Sequence, residues 1–333
     1  MSLADRLCAK TVTLSALLGE LDEDAWTQYG INFNSYTDAA HLQFMLEQPL
    51  EKKTGSLFGP PGTKRLVYFV DDLNMSTPDK YGTQPPIELL RQQLDYGGFF
   101  DLKKLSMKTL TNVQYVATLN PSAGSFSVAD RLQRHFATLA TPFPDMAVLK
   151  HIYTSIMGGH LEVFEQPVRD ALGSIVDAAC AVHQAVADEF LPTAVKFHYQ
   201  WNLRAMASVF QGLTRMRPAP RFSTALQMAR LWSHETKRVY GDRMVDEKDV
   251  SRFESIMVRE TGAHLGALEQ KDLHAEPNLF GSFVDEDEGA QRSYVPFDGW
   301  EQLGGALERK LAEYNENYAM MNLVLFKQAM EHL

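Results

Sequence analysis

The chain has 333 residues, of which 45% are hydrophobic and 22% charged, a balance typical of a folded globular protein rather than a disordered one. Its net charge is −10 and its basic residues form no long block, which argues against binding to nucleic acid or to a membrane surface. No apolar run approaches the roughly 20 residues that a membrane-spanning helix needs.

Two further features predict a cytoplasmic protein. The amino-terminal segment has an early charge at Asp5 and no long apolar stretch after it, so it does not resemble a signal peptide. The two cysteines, Cys8 and Cys180, lie far apart and have no metal-ligand spacing around them. A reducing compartment fits this cysteine usage best.

Residues 1–142 read as alternating strands and helices. Three apolar runs predict strands: Ile31–Phe33, Leu66–Val70 and Val113–Leu119. Helical spacing predicts one helix that begins near Thr37, a plausible N-cap, and another that follows Pro85. Because Leu66–Val70 is continuously apolar and Val113–Leu119 is mostly apolar, they suit strands buried on both faces of a parallel sheet. The sequence therefore predicts an α/β fold with flanking helices.

Residues 143–268 show helical periodicity alone and predict an all-α domain. Its clearest helices are Ala171–Phe190, Leu203–Leu213, Phe222–Tyr240 and Val250–Leu265. Residues 269–298 are rich in acidic residues, proline and glycine and predict a linker. Residues 299–333 predict a helix, Trp300–Tyr314, and then the start of a new apolar element at Leu323–Phe326.

The strand Leu66–Val70 ends in the paired acids Asp71 and Asp72, which is the Walker B arrangement. In an α/β sheet such a strand opens at the ligand crevice, where the first carboxylate holds Mg²⁺ through a water molecule and the second orients an attacking water. The alternative is a core strand that ends in a solvated acidic turn. The pattern alone leaves these two interpretations about equal.

Three other positions carry weaker signals of the same chemistry. Asn120 ends the next long strand, where an amide can contact a γ-phosphate; an Asn-Pro turn is the alternative. Arg131 and Arg134 follow, and an arginine there can stabilise charge on a transferred phosphoryl group; a basic surface helix is the alternative. Arg204 opens an amphipathic helix, as does the arginine of a nucleotide-covering lid, or it is an exposed helix-start residue.

The phosphate-binding loop is the weakest part of the pattern. The best match to G-x-x-x-x-G-K-[ST] is Ala4–Thr11, which has the Lys10-Thr11 pair but alanine, Ala4 and Ala9, at both glycine positions. Alanine is unfavourable wherever such a loop needs a positive φ. No room remains for a strand before the loop, so on spacing alone the pair carries no signal.

Taken in order, these residues resemble the third AAA+ module of dynein heavy chains, in its axonemal outer-arm form. The similarity covers nearly the whole chain, including parts that resemble the module's helical lid and the lead-in to a fourth module. The stretches that carry it are Ile31–Thr37, Leu46–Met75, Tyr81–Asp101, Asn112–Phe136, Lys196–Leu213, Leu231–Asp249 and Glu313–Leu333.

The resemblance implies a role for each candidate residue. Lys10 and Thr11 align with the Walker A pair, and Thr11 and Asp71 would be the magnesium-side residues. Asp72 takes the place of the usual catalytic glutamate with a side chain one methylene shorter, so slow or absent hydrolysis is expected. The remaining three roles are sensor I (Asn120), arginine finger (Arg131, with Arg134 as second choice) and sensor II (Arg204).

The resemblance also implies a location and partners. We expect ATP or ADP with Mg²⁺ as ligands, and a place in the cytoskeleton of the ciliary axoneme. The expected partners are neighbouring AAA+ modules, dynein intermediate and light chains, and microtubules bound through regions outside this chain. The loop Ala4–Thr11 is then either truncated or degenerate. Two alternatives remain open: a structural ring segment that binds no nucleotide, and an independent hexameric ATPase.

Overall fold

A three-stranded parallel sheet lies at the centre of the first of two units, Met1–Phe143 and Pro144–Leu333, into which the chain divides. The computed structural model describes residues 10–120, 127–141, 144–218, 222–282 and 294–332. The described elements of the first unit, in chain order, are α1 (Lys10–Gly19), β1 (Trp26–Asn32), α2 (Ala39–Glu47), β2 (Glu51–Lys52), β3 (Leu57–Gly59), β4 (Arg65–Asp71), α3 (Pro85–Tyr96), β5 (Gly98–Phe100), β6 (Met107–Leu110), β7 (Val113–Ala117) and α4 (Asp130–Gln133).

The parallel sheet has the order β1-β4-β7, with Asn32 beside Asp71 and Val70 beside Ala117. Alternate residues of β4 enter different cores because successive side chains of a strand point to opposite faces. Val67 and Phe69 cluster with side chains of α1 and its flanks. The other face contributes Leu66, Tyr68 and Val70 to the core that α2 and α3 help to form. Helices therefore cover both faces, and the predicted α/β fold with a parallel sheet is confirmed.

A second sheet, of order β2-β3-β6-β5, was not predicted from the sequence. Its strands have two to four residues, which is too short for an alternating pattern to be read. The ammonium group of Lys108 on β6 pairs with Glu47 at 2.8 Å and with Asp101 at 2.6 Å. These ion pairs connect this sheet to the end of α2 and to the loop after β5.

The N-cap of α2 differs from the prediction. Asp38, not Thr37, occupies the cap, and its carboxylate accepts a hydrogen bond from the His41 amide at 2.7 Å. The Thr37 hydroxyl instead accepts from the Asn34 amide at 3.0 Å and lies in the preceding turn. Asp and Thr are both good N-caps, so the local sequence could not choose between adjacent residues.

Where the structure describes it, the second unit is helical apart from two very short strands. Its described elements are α5 (Met146–Leu161), α6 (Gln166–Asp170), α7 (Leu172–Glu189), α8 (Leu203–Leu213), α9 (Ala225–Tyr240), α10 (Glu247–His264), α11 (Gln270–Leu273), β8 (Phe280–Gly281), β9 (Val295–Pro296), α12 (Trp300–Asn317) and α13 (Lys327–His332). Helix α7 packs against α5 and α10, and α8 packs against α9. In the described part of the chain, no helix is both long and apolar enough to cross a membrane.

The segment predicted as a linker, 269–298, contains packed structure in its described parts. Leu273 is fully buried, and the Phe280 ring stacks on Phe222 with centroids 6.3 Å apart. The Arg230 guanidinium donates to the Pro277 carbonyl at 3.1 Å, and the Asn278 amide donates back to the Arg230 carbonyl at 2.9 Å. The two hydrogen bonds involve α9, 47 and 48 residues earlier in the chain, so the polar composition of the segment alone did not indicate them.

Candidate functional site

The candidate site lies at the carboxyl edge of the parallel sheet. Because β4 and β7 are parallel neighbours, the residues at and just after their carboxyl ends, Asp71-Asp72 and Leu119-Asn120, meet at the same edge. Helix α1 contributes to the core on the β4 face that carries Val67 and Phe69, and its first residues, Lys10 and Thr11, reach this edge as well.

Asp71 is the residue on which the contacts of the site converge. The Thr11 hydroxyl donates to its carboxylate, with Oγ1 3.0 Å from Oδ1 and 2.9 Å from Oδ2. The Thr118 hydroxyl makes a short hydrogen bond to Oδ1 of the same carboxylate. Backbone hydrogen bonds hold this strand end, since the Phe33 amide donates to the Asp71 carbonyl at 3.0 Å. The carboxylate is therefore held between the start of α1 and the end of β7.

Lys10 and Asn120 lie at the end of β7, just beyond the Thr118 that contacts this carboxylate. The Lys10 ammonium group donates to the carbonyl of Leu119 at 2.9 Å, which brings a positive charge to the end of β7. The side-chain amide of Asn74 donates to the Asn120 carbonyl at 3.0 Å and so joins the loop after β4 to the segment after β7. Lys10, Thr11, Asp71 and Asn120 are thus brought together, although up to 110 residues separate them in the chain.

Asp72 adopts an unusual backbone conformation, with φ of 53°. This left-handed region is sparsely populated by residues other than glycine, although aspartate and asparagine enter it more readily than most. The Asp72 amide donates to the Thr118 hydroxyl at 3.2 Å, and the Leu73 amide donates to the Thr118 carbonyl at 2.9 Å. Strand β4 therefore ends at Asp71, and the next two residues stay hydrogen-bonded to Thr118.

The chemistry of these side chains fits a magnesium–nucleotide complex. A carboxylate and a hydroxyl are hard oxygen ligands, and Mg²⁺ usually takes one or two such protein groups together with waters and phosphate oxygens. Asp71 and Thr11 supply that pair, and Lys10 supplies a cation for phosphate oxygens. Among the described residues, no cluster of three or more His, Cys, Asp or Glu side chains could hold a metal by itself. The loop positions Ala4 and Ala9 lie outside the described residues.

The two candidate finger arginines have different surroundings. Arg131 lies on α4 and Arg134 is the C-cap residue of that helix, and both are exposed. The Arg134 guanidinium pairs with Asp95 on α3 at 2.6 Å, whereas no acidic side chain in the described ranges pairs with Arg131. Arg134 holds the pKa of the Asp95 carboxyl below its usual range, and His135 and Arg91 act in the same direction. Arg134 is therefore paired within the unit. The assignment of Arg131 as the arginine finger stays a prediction.

Arg204 lies in the second unit, exposed at the first turn of α8. The side chain of Asn202 caps this helix by accepting from the amides of Arg204 and Ala205, at 2.9 Å and 3.2 Å. The predicted position of an arginine at a helix start therefore agrees with the structure. Its assignment as sensor II stays a prediction.

The contribution of Thr118 to the site was not predicted from the sequence. It is 6% exposed and contacts both acids, yet in the sequence it is one threonine within a mostly apolar strand run. Threonine is common in strands, so its type gave no indication of a role. Its position two residues before the candidate sensor Asn120 is the signal that could have identified it.

Two protein-family models match this chain, one in each unit. A model described as a P-loop containing dynein motor region matches residues 4–144. A model described as an AAA+ lid domain matches residues 175–274.

Comparisons with individual proteins give similar relatives over nearly the whole chain. The dynein beta chain of the flagellar outer arm of Chlamydomonas reinhardtii is 42% identical over 330 residues, which is 97% of this chain and 7% of that protein. Dynein axonemal heavy chain 17 of Homo sapiens is 43% identical over 327 residues, again 97% and 7%. The ciliary dynein beta chain of Tripneustes gratilla is 42% identical over 328 residues, with the same coverage. The chain thus spans about 7% of the length of these relatives.

Proposed function

We propose that this chain, which belongs to the dynein heavy-chain family through its AAA+ motor region, is a nucleotide-binding regulatory module of a ciliary or flagellar motor. Its first unit would bind ATP or ADP with Mg²⁺ at the edge formed by Lys10, Thr11, Asp71 and Asn120. The observation that carries this proposal is the convergence of Thr11 and Lys10 on the ends of β4 and β7.

Each of these residues would have a different role in nucleotide binding, according to the chemistry of its side chain. Bound Mg²⁺ would neutralise phosphate charge, and Asp71 and Thr11 are the side chains that would hold it. The Lys10 ammonium group would pair with phosphate oxygens as a point charge. Asn120 would supply an amide at the same edge, and Arg131 would extend toward the nucleotide of a neighbouring module.

We infer that turnover at this module is slow or absent. Asp72 stands where a catalytic glutamate would orient water, but its carboxylate is one methylene shorter, and its backbone is held at φ of 53° by the segment around Thr118. The module would then act by holding nucleotide, which biases the main ATPase site elsewhere in the heavy chain. A single-turnover assay with radiolabelled ATP tests this inference, and release of phosphate at a rate typical of enzymes, about 10 per second, would contradict it.

The wider setting of this module follows from the family and is part of the proposal. The relatives are axonemal, ciliary and flagellar dynein chains. We propose that this chain is the third AAA+ module, with its lid, of an axonemal heavy chain that supports ATP-driven, minus-end-directed movement along microtubules. Its partners would be adjacent AAA+ modules, intermediate and light chains, and microtubules bound by other parts of the heavy chain.

Titration of the 333-residue chain with a fluorescent ATP analogue in the presence of Mg²⁺ tests nucleotide binding. We expect micromolar affinity, and Lys10→Met should weaken it at least about 10-fold, because a hydrogen bond to a charged group contributes about 1.5–3 kcal/mol. Lys103→Met, which removes a charge from the exposed loop between β5 and β6, is the matched control and should bind as the wild type does. Absence of binding at millimolar nucleotide would favour the structural ring segment instead.

A further inference from the structure

We propose that Thr118 is a positioning residue of this site, one that orients the Asp71 carboxylate for Mg²⁺ and holds Asp72 in its left-handed conformation. The proposal rests on the proposed nucleotide-binding function. It concerns a residue that would contact neither the nucleotide nor the metal and that would act through the two acids.

The backbone of Thr118 fixes the strand end that carries the acids. Its amide donates to the Val70 carbonyl at 2.9 Å, and its carbonyl accepts from the Leu73 amide at 2.9 Å. These two hydrogen bonds lie on either side of Asp71 and Asp72 in the chain. The turn that contains both acids is therefore held to one residue of the neighbouring strand.

The Thr118 side chain joins the two acids directly. A hydroxyl has one hydrogen to donate and lone pairs to accept with. Here the hydrogen goes to Oδ1 of Asp71, and a lone pair accepts the amide hydrogen of Asp72 at 3.2 Å. Since Thr118 is 6% exposed, water cannot readily replace its hydroxyl. The orientation of one acid and the backbone of the other thus depend on the same oxygen atom.

Binding of Mg²⁺ would affect the hydroxyl groups of Thr118 and Thr11 differently. In the described part of the chain, the Asp71 carboxylate accepts side-chain hydrogen bonds from Thr11 and Thr118. The Walker A hydroxyl is itself a Mg²⁺ ligand in P-loop proteins, so an oxygen lone pair of Thr11 would contact the metal. Thr118 would keep its hydrogen bond to Oδ1. Hydrogen bonds of this kind orient metal-binding carboxylates, and their loss typically lowers metal affinity 10- to 100-fold.

The test compares Thr118→Val, which keeps the shape and removes the hydroxyl, with Thr118→Ser, which keeps the hydroxyl. Binding of a fluorescent ADP is measured at increasing Mg²⁺ and again in EDTA. We expect Thr118→Val to raise, by about 10-fold, the Mg²⁺ concentration at which the enhancement of ADP binding is half-maximal. The affinity for ADP in EDTA should be unchanged. Thr118→Ser should restore the wild-type response. The control is Thr27→Val on β1, in the same sheet, because its hydroxyl has no hydrogen-bond partner among the described residues.

A second readout needs neither nucleotide nor metal. Hydrogen–deuterium exchange of the peptide that contains the Asp72 amide should be faster in Thr118→Val than in the wild type, because that amide loses its acceptor. If Thr118→Val does not fold, Thr118→Cys carries the same test, since a thiol is close in size and a weak donor and acceptor.

The results of these experiments distinguish a failure of the role inferred for Thr118 from a failure of the proposed nucleotide-binding function. If the wild type binds no nucleotide, the proposed function and the role of Thr118 toward the metal are both overturned. If the wild type binds nucleotide and Thr118→Val has the wild-type Mg²⁺ response, the inference alone is overturned. An equal loss of affinity with and without Mg²⁺ would also overturn it, because that result indicates general disruption of the fold.

Discussion

The Thr11 hydroxyl lies 3.0 Å and 2.9 Å from the two carboxylate oxygens of Asp71, so the first turn of α1 is hydrogen-bonded to the end of β4. Sixty residues separate the two positions in the chain. The contact places a hydroxyl and a carboxylate where a metal-bound nucleotide would need both, beside the Lys10 ammonium group.

Removal of the Thr11 hydroxyl should affect ligand binding more than folding. Thr11 is exposed, and exposed substitutions usually change the free energy of unfolding by less than about 0.5 kcal/mol, so the melting temperature of Thr11→Val without ligand should match the wild type. The Mg²⁺-dependent gain in nucleotide affinity should fall by about 10-fold. Calorimetric melting and nucleotide titration measure the two effects. Ser15→Ala, on the exposed surface of the same helix, should change neither. A wild-type Mg²⁺ response in Thr11→Val would show that this residue is not a metal-side ligand.

Gly212 on α8 should not tolerate a side chain. A Cβ atom there would overlap Cδ and Oε2 of Glu235, whose side chain is fully buried and paired with Arg238 at 2.6 Å. Because Glu235 cannot move into solvent, Gly212→Ala should destabilise the chain by about 1–3 kcal/mol. Gly173→Ala on α7 is the control, since a Cβ there meets no atom within 4 Å. That change should stabilise by about 0.5–1 kcal/mol, because alanine favours a helix over glycine. Thermal unfolding measures both, and equal shifts would contradict the packing argument.

The buried His183 should make stability depend on pH. Its Nδ1 lies 2.8 Å from the Tyr240 hydroxyl, and burial lowers the pKa of His183 from 6.5 to about 4. Above pH 6.5 the imidazole is neutral in both the folded and unfolded states and has no effect. Between pH 6.5 and about 4 the unfolded chain binds a proton that the folded chain does not, so stability falls as the pH falls. Below about pH 4 the loss is complete.

The variant His183→Gln isolates this contribution because glutamine does not titrate. At pH 5 the wild type should have lost about 2 kcal/mol through this group, and the variant should lack that loss. The difference in melting temperature between pH 7.5 and pH 5 should therefore be smaller in His183→Gln than in the wild type. His151→Gln, on an exposed position of α5, should keep the wild-type difference. A pH dependence unchanged in His183→Gln would mean that burial does not lower the pKa of this imidazole.

At position 72, a glycine variant should be more stable than an alanine variant, which is the reverse of the usual order of stability in a helix. Asp72→Gly and Asp72→Ala both remove the carboxylate, so its interactions cancel in the comparison. Since φ is 53°, glycine should be the more stable of the two by about 1 kcal/mol. In the first turn of α3, Glu88→Ala should instead be more stable than Glu88→Gly by about the same amount. Denaturant unfolding measures both differences, and a more stable Asp72→Ala would contradict the left-handed conformation.

Local patterns in the sequence predicted several elements closely. The helix Leu203–Leu213 has the predicted bounds, because an asparagine cap and a clear amphipathic spacing define it. The strand predicted at Leu66–Val70 is observed as Arg65–Asp71 for a similar reason, since a continuous apolar run bounded by charges needs no distant information. The short strands of the second sheet and the packing of 269–298 were missed, because both depend on partners that lie far away in the chain.

The sequence by itself determined the α/β character of the first unit, the strand that ends in Asp71 and Asp72, and the position of Asn120 one strand later. Those features follow from hydrophobic periodicity, which is a local property. Only the tertiary structure decided that the side chains of Lys10 and Thr11 contact the ends of β7 and β4, that Arg134 pairs within the unit, and that Thr118 joins the two acids. The physical reason is that each of these contacts joins two different helices or strands. The order and register of the strands determine which residues meet, and no local sequence pattern specifies them.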